Sequence, residues 1–262
     1  MKLDIGKIPN EHLKELLKNY TGLKRAEVLS RPMVGEDCAA VDFSDDICAV
    51  TTDPITGADD ELGTLGVHVA CNDLASSGAE PVGLMITILA PAGTALEQID
   101  SLMKQIRDAA ATLDAAVIGG HTEVTDAVNR MVLSVTALGR VKRDKFISTH
   151  GAKPGDAVIF TNYAGTEGTA IISRLFEKEF RREFGEEFTE SAKKLLDHIS
   201  VVREGLLAAQ YGVTSMHDVT EGGVLGAVRE VADAGGYGLE IEKNSIPVLE
   251  ETRRICYYLS LD

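Results

Sequence analysis

The amino-acid sequence predicts an α/β (α+β) protein built as two layered domains, and three observations carry that reading. Short β-rich runs alternate with longer amphipathic segments, the pattern of helices packed on a sheet. A length of 262 residues with 44% hydrophobic content is enough for one large core or two ordinary ones. The turn-rich stretch His150-Gly151-Ala152-Lys153-Pro154-Gly155-Asp156 follows a charged run and separates two such units. The expected domains are therefore 1–150 and 151–262.

Residues 10–19 read as a helix capped by Asn10, with Leu13, Leu16 and Leu17 along one face. Ala39–Phe43 and Ile47–Thr52 read as strands joined by a hairpin turn at Ser44-Asp45-Asp46. After the loop Pro54–Asp60, Leu62–Ala75 reads as a buried helix whose apolar stripe is Leu62, Leu65 and Val69. Thr64, His68 and Asn72 are spaced i, i+4 and i+8 on that helix, a polar line beside Asp73. Solvent does not explain a polar line on so apolar a helix.

Val82–Leu89 is a near-continuous apolar strand, and Leu96–Leu113 an amphipathic helix with Ile99, Leu102, Met103 and Ile106 inward. Ala115–Ile118 leads into a Gly119-Gly120 turn, and Met131–Val141 is a further strand. The second unit opens with a strand, Ala157–Thr161, and a glycine-bearing loop, Tyr163–Thr169. The helix after it runs into Glu177–Glu187, a charged and solvated face. Helices Glu190–Gln210 and Val224–Ala234, a strand Gly238–Glu242 and a helix Leu249–Leu261 complete the expected order.

The formal charge of -15, from 41 acids against 26 bases, argues against a nucleic-acid partner, since phosphate backbones are bound by clustered Lys and Arg. An acidic protein meets a polyanion most easily with a divalent ion between the two sets of charges. Cys38, Cys48, Cys71 and Cys256 show no C-x-x-C spacing, so neither a zinc site nor a dithiol is indicated. The opening Met1-Lys2-Leu3-Asp4-Ile5-Gly6 has no signal-peptide core, and no apolar run approaches membrane-spanning length. The expectation is a cytoplasmic protein with no membrane contact.

Four clusters carry the chemistry. They are Gly35-Glu36-Asp37-Cys38-Ala39-Ala40-Val41, Thr51-Thr52-Asp53-Pro54, His68-Val69-Ala70-Cys71-Asn72-Asp73 and Gly119-Gly120-His121-Thr122-Glu123. Each lies beside an apolar run, at the mouth of a rigid element. Carboxylates gathered from several element ends suit Mg²⁺, a hard cation that takes oxygen ligands and usually arrives with a phosphate. The neighbouring glycines let backbone N–H groups approach phosphate oxygens closely. Nucleotide chemistry is the reading these residues favour.

With Met216-His217-Asp218-Val219-Thr220-Glu221-Gly222-Gly223, the clusters occur in an order that resembles the AIR synthase-related (PurM-like) superfamily. The group includes aminoimidazole ribonucleotide synthase, thiamine-monophosphate kinase and selenophosphate synthetase. Gly6-Lys7-Ile8-Pro9, Thr51–Ala58 and His217–Gly223 look most similar to its hydrogenase-maturation, HypE-like branch. The resemblance implies two α/β domains, a homodimer whose N-terminal domains pair into a β-barrel, and ATP with Mg²⁺ in a cleft. Carried over by motif, Asp37, Asp53 and Asp73 become metal or phosphate-bridging ligands, with Glu123 completing the metal shell. Asn72 would orient them, and Gly119, Gly120, Thr122 and Lys7 would face phosphate. His68, Asn72 and His217 are the catalytic candidates.

The family's shared chemistry lets a substrate oxygen attack the γ-phosphate and so become a leaving group, with the protein supplying position and charge neutralisation. Three functions fit that frame: an ATP-dependent enzyme of unspecified substrate, a HypE-type carbamoyl dehydratase acting on a thiocarbamate with maturation-protein partners, and a nucleotide-binding assembly module without turnover. His121 stands where kinase relatives often carry Asp, and a neutral imidazole cannot neutralise Mg²⁺. Glu221 stands where HypE relatives commonly carry Arg. HypE relatives hold their substrate on a C-terminal cysteine, whereas this sequence ends at Asp262. Cys256, in a predicted helix, is not the expected acceptor, and the second domain is expected to be incomplete.

Plainer readings stand beside these. Any one of the aspartates suits a helix cap or turn. His68 equally fits a satisfied core histidine, and His217-Asp218 a strand-to-helix turn capped by Asp218 or Thr220. Lys7 is as well explained by solvation, and the loop Gly165–Thr169 lacks the Gly-Lys-Ser/Thr end of a P-loop.

Overall fold

The computed structural model describes residue 29, residues 39–56 and residues 61–261. The helix expected at 10–19 lies outside them, as do Lys7 and Asp37.

The first half is one five-stranded sheet covered on one face by two helices, and the chain is a mixed α/β protein. Strands β1 (Ala39–Phe43) and β2 (Asp46–Ile55) form the expected hairpin, with Ser44 at φ 77° in its turn. Helix α1 (Leu62–Ser76) follows, then β3 (Glu80–Pro91), α2 (Leu96–Thr112), β4 (Ala116–Thr125) and β5 (Val132–Lys142). The spatial order is β1-β2-β5-β3-β4. Every pairing is antiparallel except β3 with β4, which run parallel because α2 carries the chain back across the sheet.

Burial alternates along β2 and β5, so Ile47, Ala49, Thr51, Leu133, Val135 and Ala137 face α1 while their neighbours turn outward. Leu74, Leu84, Ile88, Leu102 and Ile106 close that core. The opposite face of the sheet leaves Val82 and Met85 about half exposed.

The second half is helical among the described residues: α3 (Thr166–Leu175), α4 (Glu177–Phe184), α5 (Glu186–Lys193), α6 (Val202–Tyr211), α7 (Gly223–Gly235) and α8 (Glu250–Tyr258). Leu195, Leu196, Ile199 and Ala170 pack onto Leu65 and Ile55, joining the halves through α1. A second cluster centres on Phe180, with Phe184 and Tyr258 edge-on to it at 5.5 and 6.0 Å between ring centroids.

Five expectations need correction. Gly119-Gly120 is no turn: both lie inside β4, where a Cβ on Gly120 would sit 1.9 Å from the Ile86 carbonyl oxygen. Ala157–Thr161 and Gly238–Glu242 are not strands, because no described strand lies beside them to complete a ladder. Val158 and Ile159 consequently stay exposed. The single helix expected over Glu190–Gln210 is broken into α5, a 3₁₀ turn (Lys194–His198) and α6. The charged run Glu177–Glu187 is interrupted by Gly185 at φ 90°, and Arg181 there pairs with Glu177, Glu186 and Glu190.

Candidate functional site

Two of the sequence-derived aspartates meet where β2 passes under α1. Strand alternation turns Thr51 and Asp53 toward the helix, and the last turns of α1 bring Asp73 down onto them. Thr51 Oγ1 donates to Asp73 Oδ2 at 2.7 Å, and the Asp53 carboxyl acts on Asp73 from the same strand as Thr51. Asp73 is 7% exposed. Its pKa is pushed well above the usual carboxylate range, first by burial, then by the negative charges of Asp218 and Asp53. The Thr51 hydroxyl opposes that shift by stabilising the anion.

The second half adds two carboxylates that sequence reasoning did not place. Asp218, itself buried, lies in the segment between α6 and α7 and acts electrostatically on both Asp73 and Glu167. Glu167, in the first turn of α3, is exposed, yet neighbouring protein and then Asp218 raise its pKa. Asp53 and Asp218 thus act on Asp73, and Asp218 in turn on Glu167. The readable signal was Asp218's position, directly after His217 and just ahead of the Gly222-Gly223 entry to α7. From sequence that motif supports two readings, a cap by Asp218 or Thr220 and a phosphate or substrate site at the helix N-terminus.

Among the described residues no three His, Cys, Asp or Glu side chains close into a ready-made ion shell. Mg²⁺ is commonly held by one or two carboxylates together with waters and substrate phosphates. The donor set is all oxygen and anionic, and the Asp53–Asp73 pair carries charge repulsion that a bound cation would relieve.

The catalytic candidates occupy different surroundings. Asn72 is not hydrogen-bonded to the Asp53 or Asp73 carboxylates: its carboxamide meets Ile199 O and the Val201 N–H, each at 2.9 Å. His68 is half-buried, burial lowers its pKa, and its Nδ1 has no hydrogen-bond partner among the described residues. His217 has a side chain only 6% exposed, with Nδ1 2.6 Å from the Asp218 carbonyl oxygen and Nε2 3.0 Å from Glu230 Oε2. It holds the Asp218 segment in place. The thiol of Cys71, beside this site, is pushed up to about 12 by burial and by Asp73, so it stays protonated.

Gly119, Gly120, Thr122 and Glu123 lie elsewhere. Asp53 pairs with Val135, Val135 with Ile86 and Ile86 with Gly120, one row across four strands. Three strand spacings, roughly 14 Å, therefore separate Asp53 from Gly120. These residues are exposed on the edge strand, where His121 Nε2 lies 3.3 Å from Glu123 Oε2. Within one chain, Glu123 does not share a metal shell with Asp53 and Asp73.

Residues 35–141 match the AIR synthase related protein, N-terminal domain, and residues 153–261 match its C-terminal domain. The chain belongs to the AIR synthase-related family. This AIR synthase-related chain is 30% identical over 267 aligned positions to a putative hydrogenase expression/formation protein of Methanocaldococcus jannaschii, covering 98% of this chain and 76% of that protein. It is 28% identical to the carbamoyl dehydratase HypE of Cupriavidus necator, over 77% of this chain and 56% of that protein. The chain thus spans little more than half the length of that second relative.

Solved structures share the PurM-like fold. AaThiL complexed with AMPPCP and TMP superposes with a TM-score of 0.78 at 18% identity, covering 96% of this chain and 77% of that one. The hydrogenase maturation protein HypE in complex with ATP gives 0.64 at 22%, covering 94% and 68%. A chain of a HypE–HypF complex gives 0.65 at 22%, covering 85% and 72%. No described helix is long and apolar enough to cross a membrane.

Proposed function

We propose that this chain binds ATP with Mg²⁺ and works as a HypE-type carbamoyl dehydratase in hydrogenase maturation. The observation that carries the reading is the contact between Asp53 and Asp73, buried opposite Asp218, in a chain whose relatives include HypE proteins. Two carboxylates in contact, one of them the buried Asp73 with its proton affinity raised, are what a divalent ion would neutralise.

In this reading Asp53 and Asp73 hold the cation with Asp218 behind them, and Asp37 and Lys7, outside the described residues, come from the N-terminal segment. When bound, Mg²⁺ supplies charge neutralisation at the β- and γ-phosphates. The carbamoyl oxygen attacks the γ-phosphate and ADP leaves. Loss of the amide protons and of inorganic phosphate then leaves a nitrile, so one molecule of water is removed at the expense of one ATP. His217 holds the Asp218 segment through its own ring contacts, and that segment would face a bound nucleotide. His68, neutral through burial, is the group nearest in chemistry to an acceptor of an amide proton.

We further propose a homodimer, with domains divided near residue 150. The support is the distance argument: the Gly119–Glu123 segment is too far from Asp53 in its own chain and lies on an exposed edge. Beside it Pro81, Val82, Ile118 and Leu138 line an apolar groove of about 530 Å³. A second copy covering that face, as the barrel expectation has it, would bring one chain's Gly119, Gly120, Thr122 and Glu123 toward the other chain's nucleotide.

The test is turnover of a peptide carrying S-carbamoyl cysteine in the presence of ATP and Mg²⁺. The reading expects ADP and a peptide lighter by one water, both lost in Asp73→Asn. ADP formation without dehydration would point to another substrate, and absence of ATP turnover with any amide would remove the enzyme reading.

A further inference from the structure

Asn72 and Asp73 are adjacent on α1 and face different halves of the molecule. Asp73 points to Thr51 and Asp53 in the sheet. The Asn72 carboxamide, 8% exposed, reaches across to the linker between the 3₁₀ turn and α6. Its Nδ2 donates to Ile199 O and its Oδ1 accepts from the Val201 N–H, partners 127 and 129 positions away in sequence. A primary amide presents one donor edge and one acceptor edge, so it pairs with a bare peptide segment as a neighbouring strand would. That capture explains why the helix expected over this region breaks at 199–201.

The linker it grips is the junction from which both second-half carboxylates are placed. On one side, the 3₁₀ turn carries Leu195 and Leu196, against which α3 packs through Ala170; α3 bears Glu167. On the other side, α6 delivers the chain toward Asp218. That helix is held to α1 by Gly205, where a Cβ would lie 2.6 Å from the Ala75 carbonyl oxygen. The Asn72 side chain and the Gly205 contact thus tie both ends of this junction to α1.

We infer that Asn72 is a positioning residue that couples the two halves of the nucleotide site, holding Asp218 and Glu167 opposite Asp53 and Asp73. The inference rests on the proposed Mg-ATP site. Asn72 touches neither nucleotide nor cation in this account and acts through the linker.

A double-mutant cycle separates this role from simple support of the fold. ATP affinity is measured by titration calorimetry with and without Mg²⁺ in wild type, Asn72→Ala, Asp218→Asn and the double variant. Positioning predicts that Asp218→Asn weakens Mg²⁺-dependent binding about tenfold in wild type but less than about twofold once Asn72 is gone, the non-additivity of coupled sites. Equal factors in both backgrounds would overturn the inference while leaving the site intact. A wild type without Mg²⁺-dependent ATP binding would instead remove the proposed function, and the inference with it. Should Asn72→Ala not fold, Asn72→Asp carries the same cycle, since it keeps the acceptor for Val201 and the side-chain volume.

Discussion

Thr51 and Asp73 meet side chain to side chain across the β2–α1 contact, the hydroxyl donating at 2.7 Å to a carboxylate that also contacts Asp53. A single hydroxyl does not offset two neighbouring acids and near-complete burial. The metal-free site is therefore held at a loss of stability, as functional sites often are.

That loss depends on pH with a definite sign. Asp73 in the folded state keeps a proton that the unfolded chain releases near its ordinary value of 3.8. Stability is full below that value and falls as pH rises through the raised folded pKa. Urea denaturation of the metal-free protein between pH 5 and 8 is expected to show a falling midpoint. Asp73→Asn is expected to flatten that slope and to raise neutral-pH stability by about 1 kcal/mol, the usual scale when a functional-site conflict is removed. A variant less stable than wild type at pH 8 would contradict the account.

The close approach of α6 to α1 makes its own prediction. Gly205→Ala places a methyl against Ala75 backbone, which cannot swing aside. The expected destabilisation is about 1–3 kcal/mol, the scale of overpacking. Gly168→Ala, in α3 with open space around it, is the control and should be neutral or slightly stabilising. Thermal denaturation of the pair decides; equal melting points would mean the two helices are not in tight contact.

How much of this was legible in the sequence depended on where the determining partner lay. Helices α1 and α2 and strands β3 and β5 carry their own apolar periodicity, so their positions emerged within a few residues. The break at 199–201 did not, because Asn72, more than a hundred positions away, takes the backbone groups that a continuous helix would use. Ala157–Thr161 has strand-like composition, but composition cannot supply a neighbouring strand. At the site, Asp53 and Asp73 stood out because each closes an apolar element. Glu167 and Asp218 were hidden, since only tertiary packing brings α3 and the α7 entry to α1. From sequence Gly119-Gly120 reads as a turn and the resemblance puts Glu123 in the aspartates' metal shell, whereas the strand order puts two strands between β4 and Asp53.

The homodimer proposal predicts that Ile118→Asp, a charge placed in the apolar groove of the edge strand, yields a monomer by sedimentation velocity. Mg²⁺-dependent ATP affinity should fall with it, because the glycine segment would no longer be delivered in trans. A monomeric wild type, or a monomeric variant with unchanged affinity, would contradict the shared site.

The central claim is that Asp53 and Asp73 together hold the cation of a bound nucleotide. Calorimetric titration of ATP into wild type and Asp53→Asn, each with and without Mg²⁺, tests it most directly. The account predicts wild-type binding that requires Mg²⁺ and is weakened at least about tenfold by the substitution, or about 1.4 kcal/mol. Equal affinity in the two proteins, or binding indifferent to Mg²⁺, would contradict it.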